Sequence, residues 1–300
     1  MVFHSKSINK TYKMKDSISI RKRSGEMEPF NLDKLKTSLR RATVDEPLIL
    51  RIAAEVEANL KEGMTTKQLY KMAYRMLKET SRVKASKYKL KKALMQLGPS
   101  GFPFERLVGQ LLSHEGFQTE VGVFVQGNCV KHEVDVIALK NQNHDMIECK
   151  YHSDEGRFCD VKVALYIQSR FMDIKTEWKK NPDHKSKIHQ GWVYTNTRFT
   201  SDAIEYGTCV GLGLTSWDFP AGNGLRERID RVGLHPITAL TSLTKYEKTQ
   251  LLDKGIIICK ELKHNPELLE LIGIKGSRLE NILEDLEELC KSAKNSNNER

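Results

Sequence analysis

The sequence predicts an α/β protein in three parts: an N-terminal β-hairpin followed by four helices, a central mixed sheet flanked by helices, and a C-terminal helical module. Three observations predict it. Apolar residues recur at helical spacing between Asn31 and Leu97, alternate with period two through most of 118–150, and return to helical spacing beyond Pro220. At 300 residues the chain also exceeds the usual size of a single core. The expected boundaries are a disordered basic lead at 1–17, a hairpin and helix unit at 18–97, an α/β unit at 98–220, a helical module at 221–290 and a polar tail at 291–300.

Ile18 and Ile20 open a strand that turns at Lys22-Arg23-Ser24-Gly25 and returns to Phe30. Asn31 is an acceptable N-cap for a helix carrying Leu32, Leu35 and Leu39 inward. A second helix from Asp45 places Ile49, Ile52, Ala53, Val56 and Leu60 on one stripe and stops at Gly63. Thr65 and Gln68 form a capping box for a third helix through Leu69, Ala73, Met76 and Leu77, and a fourth is expected over Ala85–Leu97. Gly98-Pro99-Ser100-Gly101 is a linker, followed by an amphipathic helix through Phe104, Leu107, Val108, Leu111 and Leu112. Strands follow at 118–125, 132–139 and 146–151. A crossover helix at 160–174 is expected to face the sheet with Val163, Tyr166, Ile167 and Phe171. Trp192–Thr195 reads as a buried parallel strand, Thr200 or Ser201 as a helix cap, and Val210–Leu214 as a last strand. In the C-terminal part, Leu251–Ile256 and Leu271–Leu279 are open to two readings: helix-hairpin-helix turns on phosphates, or a helical packing or dimerisation element that would make a homo-oligomer.

Charge narrows the partners. Residues 1–98 hold 23 Lys and Arg against 10 Asp and Glu, 99–220 hold 13 against 16, and 221–300 hold 13 of each, within a net charge of +10. The basic first third suits a nucleotide triphosphate or a DNA backbone. No apolar run approaches the ~18 residues of a membrane helix, and the first twenty residues lack a hydrophobic leader core, so a cytoplasmic protein with no membrane partner is expected. Cys129, Cys149, Cys159, Cys209, Cys259 and Cys290 show no Cys-x-x-Cys pair and read as reduced, mostly buried thiols.

The chemistry is concentrated in residues 132–151. Glu133, Asp135 and Ile137 share one strand face while Val134, Val136 and Ala138 share the other; Glu148 and Lys150 project opposite Ile147, Cys149 and Tyr151. Asp135, Glu148 and Lys150 therefore converge. Two carboxylates can hold Mg²⁺ or Mn²⁺ through oxygen, and an ammonium beside them can position a water or neutralise a phosphate, which is the equipment for phosphodiester hydrolysis. Glu133 is either an extra ligand or the solvent end of its strand. Gln168 and Arg170 either reach DNA or the site, or line an exposed helix face.

Residues 18–97 resemble the ATP-cone, a regulatory nucleotide-binding domain, in Lys22-Arg23-Ser24-Gly25, Phe30–Leu35, Gly63–Thr66 and Ala85–Leu90. The resemblance implies ATP or dATP as allosteric ligand, with Lys22, Arg23 and Lys34 on phosphates and Glu28, Asn31 and Thr66 on sugar or base. Residues 99–220 resemble the Mrr-like branch of the PD-(D/E)xK nucleases through Asp135, Glu148-Cys149-Lys150 and the strand-helix-strand ending. That implies DNA as substrate, Asp135 and Glu148 as metal ligands, Lys150 as the residue assisting water, and Glu105 as a further ligand or supporting acid, although helix-start charge explains Glu105 almost as well. His132 and Glu133 depart from the Gly-rich approach common in that branch. Together the resemblances imply a nucleotide-regulated DNA endonuclease of the restriction type. The alternatives are a nucleotide-sensing DNA-binding regulator on an inactive nuclease fold, and a structure-selective nuclease acting on junctions or damaged ends.

Overall fold

The computed structural model describes residues 18–292, so the basic lead and nearly all of the polar tail lie outside the described residues. The chain divides into two compact units, one up to Met76 and one from Leu77 onward.

In the first unit β1 (Ser19–Arg21) and β2 (Met27–Pro29) pair antiparallel around the Lys22–Gly25 turn. Asn31 caps α1 (Leu32–Arg41), its side-chain oxygen accepting from the Lys34 amide at 2.9 Å. Asp45 caps α2 (Glu46–Ala58) in the same way. At the start of α3 (Thr66–Thr80) the expected capping box forms: Thr65 Oγ1 accepts from Gln68 N at 3.2 Å, and Gln68 Oε1 accepts from Thr65 N at 2.8 Å. Arg21 N donates to Met64 O at 3.0 Å, so the chain entering α3 lies beside β1. Leu39, Ile49, Ile52, Ala53, Val56 and Ala73 are buried as their spacing predicts.

The second unit corrects the expected single helix at 85–97. Ser81 caps an earlier start, and two short helices form, α4 (Arg82–Tyr88) and α5 (Leu90–Leu94). They serve different cores: Val83 packs with the C-terminal helices, whereas Leu90, Leu94 and Leu97 pack with Phe104, Leu107 and Leu111 of α6 (Phe102–His114). One straight helix could not present both faces.

The sheet follows as β3 (Gln118–Gln126), β4 (Lys131–Lys140) and β5 (Asn143–Lys150), with β6 (Phe158–Cys159) leading into α7 (Val161–Trp178). Next come β7 (Ile188–Thr195), β8 (Arg198–Phe199), α8 (Ser201–Val210) and β9 (Gly213–Thr215). The main sheet has the order β3-β4-β5-β7-β9; its first two pairings are antiparallel and its last two parallel, and β6 pairs with β8 separately. The crossover that a parallel β5–β7 pair requires is made by the helix expected at 160–174, extended to Trp178. Val210 ends α8 rather than opening a strand, because Gly211 terminates the helix in the left-handed region at φ 73°. Tyr166, expected on the sheet face, is 59% exposed; Ala164, Ile167, Phe171, Ile174 and Trp178 form the buried stripe instead.

Beyond β9 lie α9 (Leu225–Val232), a 3-10 turn (Ile237–Ala239), α10 (Lys245–Asp253), α11 (Cys259–His264), α12 (Glu267–Leu271) and α13 (Gly276–Leu289). These helices pack on the α/β core. Arg228 donates Nε to Glu115 at 2.8 Å and Nη1 to the Tyr194 hydroxyl at 2.6 Å, while Arg106 Nη1 reaches Gly255 O at 2.8 Å. The turn at Leu251–Ile256 is thus docked on α6. Arg82 grips Asp285, tying α4 to α13. The six cysteines are all free, with Cys149, Cys159, Cys259 and Cys290 buried. No helix among the described residues is long and apolar enough to cross a membrane.

At the far end of the sheet His144 of β5 faces His189 of β7 in register, and the His144 ring stacks on Trp178 at 3.9 Å and on His184 at 4.7 Å. Burial, then the neighbouring His184 and His189, push the His144 pKa down to about 3. An unfolded imidazole takes a proton near 6.5, so stability is present above that pH and is lost as pH falls through it, by about 1.4 kcal/mol per pH unit. The expected result is a Tm that falls by roughly 3 to 5 °C per unit between pH 6 and pH 4. His144→Phe, which keeps the stack, should flatten that slope in thermal denaturation; an unchanged slope would assign the acid sensitivity elsewhere.

Candidate functional site

The antiparallel ladder between β4 and β5 runs from Lys140↔Asn143 to Val136↔Ile147 and stops. The next position would set Asp135 opposite Glu148, and there the strands open. The gap is bridged by a side chain: Asp135 Oδ2 accepts from Cys149 N at 2.7 Å. Across from Asp135 on β3 stands Gly122 at φ 67°, a conformation that bends the outer strand at the same level. Strand β4 turns over at this point. Val136 and Ala138 pack towards α6 as expected, but Val134 joins Ile137 and Met146 on the α7 side, which corrects the single shared face expected for Val134, Val136 and Ala138.

Both faces of the sheet are covered, so Glu148 is 5% exposed rather than solvated. One of its carboxylate oxygens accepts from Lys150 Nζ, and the other accepts from Arg170 Nη1 at 2.6 Å. Arg170 also donates to the Glu133 carbonyl and lies over the Tyr166 ring at 5.5 Å. The first of the two readings left open for Arg170 is therefore the observed one, since it reaches the site. Gln168 does not join this cluster; its side-chain oxygen is buried with no hydrogen-bond partner among the described residues.

Burial first, and then Glu148, raises the Asp135 pKa to about 7, against the lowering effect of the Cys149 amide. Glu105, on the first turn of α6, is also raised, by burial and then by Glu133 and Glu148. Glu105, Glu133, Asp135 and Glu148 thus form one electrostatic cluster with Lys150 and Arg170. Acids that raise one another and offer only oxygen donors suit a hard divalent cation. However, no group of three or more His, Cys, Asp or Glu side chains among the described residues stands ready to hold a metal ion, and both Glu148 oxygens are already ion-paired. A cation there would share the Glu148 oxygens with Lys150 and Arg170, since each oxygen keeps a second lone pair. His132 takes no part in the cluster, since its Nε2 pairs with Asp173 at 2.7 Å. A polar pocket of about 300 Å³, lined by Pro99, Tyr151, His152, Ser153, Asp154 and Arg157, opens just beyond Lys150.

In the first unit the hairpin and α1 bring Lys22, Glu28, Asn31 and Lys34 together. Lys22 Nζ lies 3.0 Å and Lys34 Nζ 3.4 Å from Glu28 Oε2, which raises the Lys22 pKa and lowers that of Glu28. Arg23 is exposed in the turn, and Thr66 is exposed at the first position of α3, immediately after the residue that bridges to Arg21. Two ammonium groups on one carboxylate beside a helix N-terminus can exchange that carboxylate for phosphate.

Residues 18–95 match the ATP cone domain, which confirms that resemblance and supports nucleotide binding, and residues 235–290 match the family described as AF1548-like, C-terminal. An uncharacterised protein of Archaeoglobus fulgidus is 33% identical over 177 residues, 59% of this chain and 95% of the relative. The crystal structure of AF1548, a protein of unknown function, is 31% identical with a TM-score of 0.51, covering 64% of this chain and 98% of that one. The MspJI restriction endonuclease in complex with a 27-mer oligonucleotide is 10% identical with a TM-score of 0.31, over 67% of this chain and 39% of that one, a likeness too slight to carry an argument. Identity above 30% along nearly the whole length of both relatives, together with the match at 235–290, decides the family: the chain belongs to the AF1548-like proteins.

Proposed function

We propose that this protein is a nucleotide-regulated, divalent-metal-dependent DNA endonuclease of the restriction type, hydrolysing phosphodiesters at Asp135, Glu148 and Lys150. The observation that carries the reading is the opened ladder, where the half-buried Asp135 and the buried Glu148 take opposite positions across the strands beside a lysine. Asp135 and Glu148 would hold Mg²⁺ or Mn²⁺, which supplies positive charge to the phosphoryl oxygens and acidifies the attacking water. Lys150 donates to the water or to a phosphate oxygen. Arg170 keeps Glu148 oriented and fastens β4 through the Glu133 carbonyl. Glu105 adds negative potential from α6. On the regulatory side, Lys22, Arg23 and Lys34 grip the phosphates of ATP or dATP, while Glu28, Asn31 and Thr66 contact sugar or base.

The closed ion pairs on Glu148 favour a second reading, a nucleotide-sensing DNA-binding regulator in which those pairs are permanent. The two readings separate in one experiment. Purified full-length protein is incubated with supercoiled, linear, methylated and branched DNA, with and without Mg²⁺ or Mn²⁺. Cation-dependent cleavage is expected, and a preference for branched DNA would move the reading to a structure-selective nuclease. Inertness towards all four substrates, with DNA binding retained, would establish the regulator.

A further inference from the structure

Lys248 of α10 is only 9% exposed, and burial is the largest influence on its amine, followed by Lys89 and not by any acid. Its amino group stands within hydrogen-bond reach of the Lys89 amino group, at the junction of α4 and α5. Lys89 Nζ spends one donor on Thr238 O at 2.9 Å. Lys78, in the last turn of α3, acts on both amines, and Lys92 acts on Lys89. Of the groups acting most strongly on the pair, none is a carboxylate. Cys259 also acts on Lys248, but burial holds its thiol neutral. The adjacent Glu247 is engaged elsewhere, taking Arg278 through both oxygens at 2.5 and 2.7 Å and capping Thr244 N at 2.8 Å.

Two amines facing each other, Lys248 buried and Lys89 half-buried, gain nothing from the contact unless one is neutral or an anion lies between them. We propose that Lys89 and Lys248, with Lys78 beside them, form a binding site for a small phosphate-type oxyanion where α5 meets α10. The burial of Lys248 selects a small ligand, since a polymer backbone docks on exposed cations. An oxyanion with several acceptor oxygens satisfies both ammonium groups at once. The site also has a structural consequence. Lys89 lies in the segment that matches the ATP cone and Lys248 in the segment that matches the AF1548-like C-terminal family, so the anion would fasten one to the other.

Burial and the neighbouring lysines lower the Lys248 pKa to about 7, so occupancy by an anion must be linked to proton uptake. Sulfate, which stays a dianion throughout, is the probe. Full-length protein is titrated with sulfate against chloride at matched ionic strength, at pH 6.0 and pH 8.5, with ¹³Cε-lysine NMR and thermal denaturation as readouts. Binding should be roughly 10-fold tighter at pH 6.0, and the Lys248 titration midpoint should move up by one pH unit or more on adding sulfate. Lys248→Met and Lys248→Gln should both lose the sulfate-specific rise in Tm. Inorganic phosphate and ATP, tested on the Lys22→Ala/Arg23→Ala protein, distinguish free phosphate from a nucleotide tail as the natural source. A Lys248 midpoint that ignores sulfate in the wild-type chain would overturn the proposal, as would equal sulfate gains in wild type and both variants.

Discussion

Asp135→Asn, Glu148→Gln and Lys150→Met are each expected to reduce cation-dependent DNA cleavage by at least ~10³-fold, towards background, while DNA binding persists. The reason is geometric. Asp135 and Glu148 meet only where the β4–β5 ladder opens, and Lys150 lies on Glu148, so each of the three acts from a position set by the strands. Stability should move the other way for Asp135→Asn. The folded pKa of Asp135 is raised to about 7 from an ordinary 3.8, so between those values the folded state binds the extra proton and stability falls as pH rises. Well above pH 7 the ionised, cation-free carboxylate costs on the order of 4 kcal/mol. Asp135→Asn should therefore raise Tm at pH 8 and leave it nearly unchanged at pH 4, and Mg²⁺ should stabilise the wild type at pH 8 but not this variant. Calorimetry with Mg²⁺ registers ligand loss separately from lost turnover. If Lys150→Met cleaves at the wild-type rate, its role in positioning water or phosphate is wrong; if Asp135→Asn binds Mg²⁺ as tightly as wild type, the carboxylate pair is not the cation site.

ATP or dATP is expected to change the cleavage rate or the oligomeric state by roughly 5- to 150-fold, the range of a 1 to 3 kcal/mol coupling. Nucleotide can do so only by binding one state of the protein better than another. Lys22→Ala combined with Arg23→Ala removes two cations from the hairpin turn and should abolish the response while leaving nucleotide-free cleavage unchanged. Glu28 then keeps Lys34 as its remaining partner, so the hairpin and α1 stay joined. The measurement is a titration of ATP and dATP against cleavage and sedimentation for wild type and double variant. Tight nucleotide binding with unchanged cleavage and assembly would remove the regulatory function and leave the catalytic proposal standing.

Local rules made much of this protein legible from its residues. The Asn31 cap, the start of the second helix at Asp45, the Thr65–Gln68 capping box, the β1–β2 turn and the alternating strands of the acidic hairpin each depend on groups within a few positions of one another. The candidate acids were legible for the same reason, because period two places Glu148 and Lys150 on one side whatever covers them. Burial was not. Whether Glu148 faces water depends on α7 crossing that side of the sheet, and its pairing with Arg170 joins residues 22 positions apart. The opening of the ladder at Asp135, the reversal of Val134 and the break between α4 and α5 also follow from contacts made by distant segments. Helical spacing says that Val83 and Leu90 are inward, but only the tertiary structure assigns one to the C-terminal core and the other to α6. The same holds for Lys89 and Lys248: each is an ordinary helix lysine in sequence, and only packing brings their amines together without an acid, because charge compensation in a folded chain is decided by proximity in space.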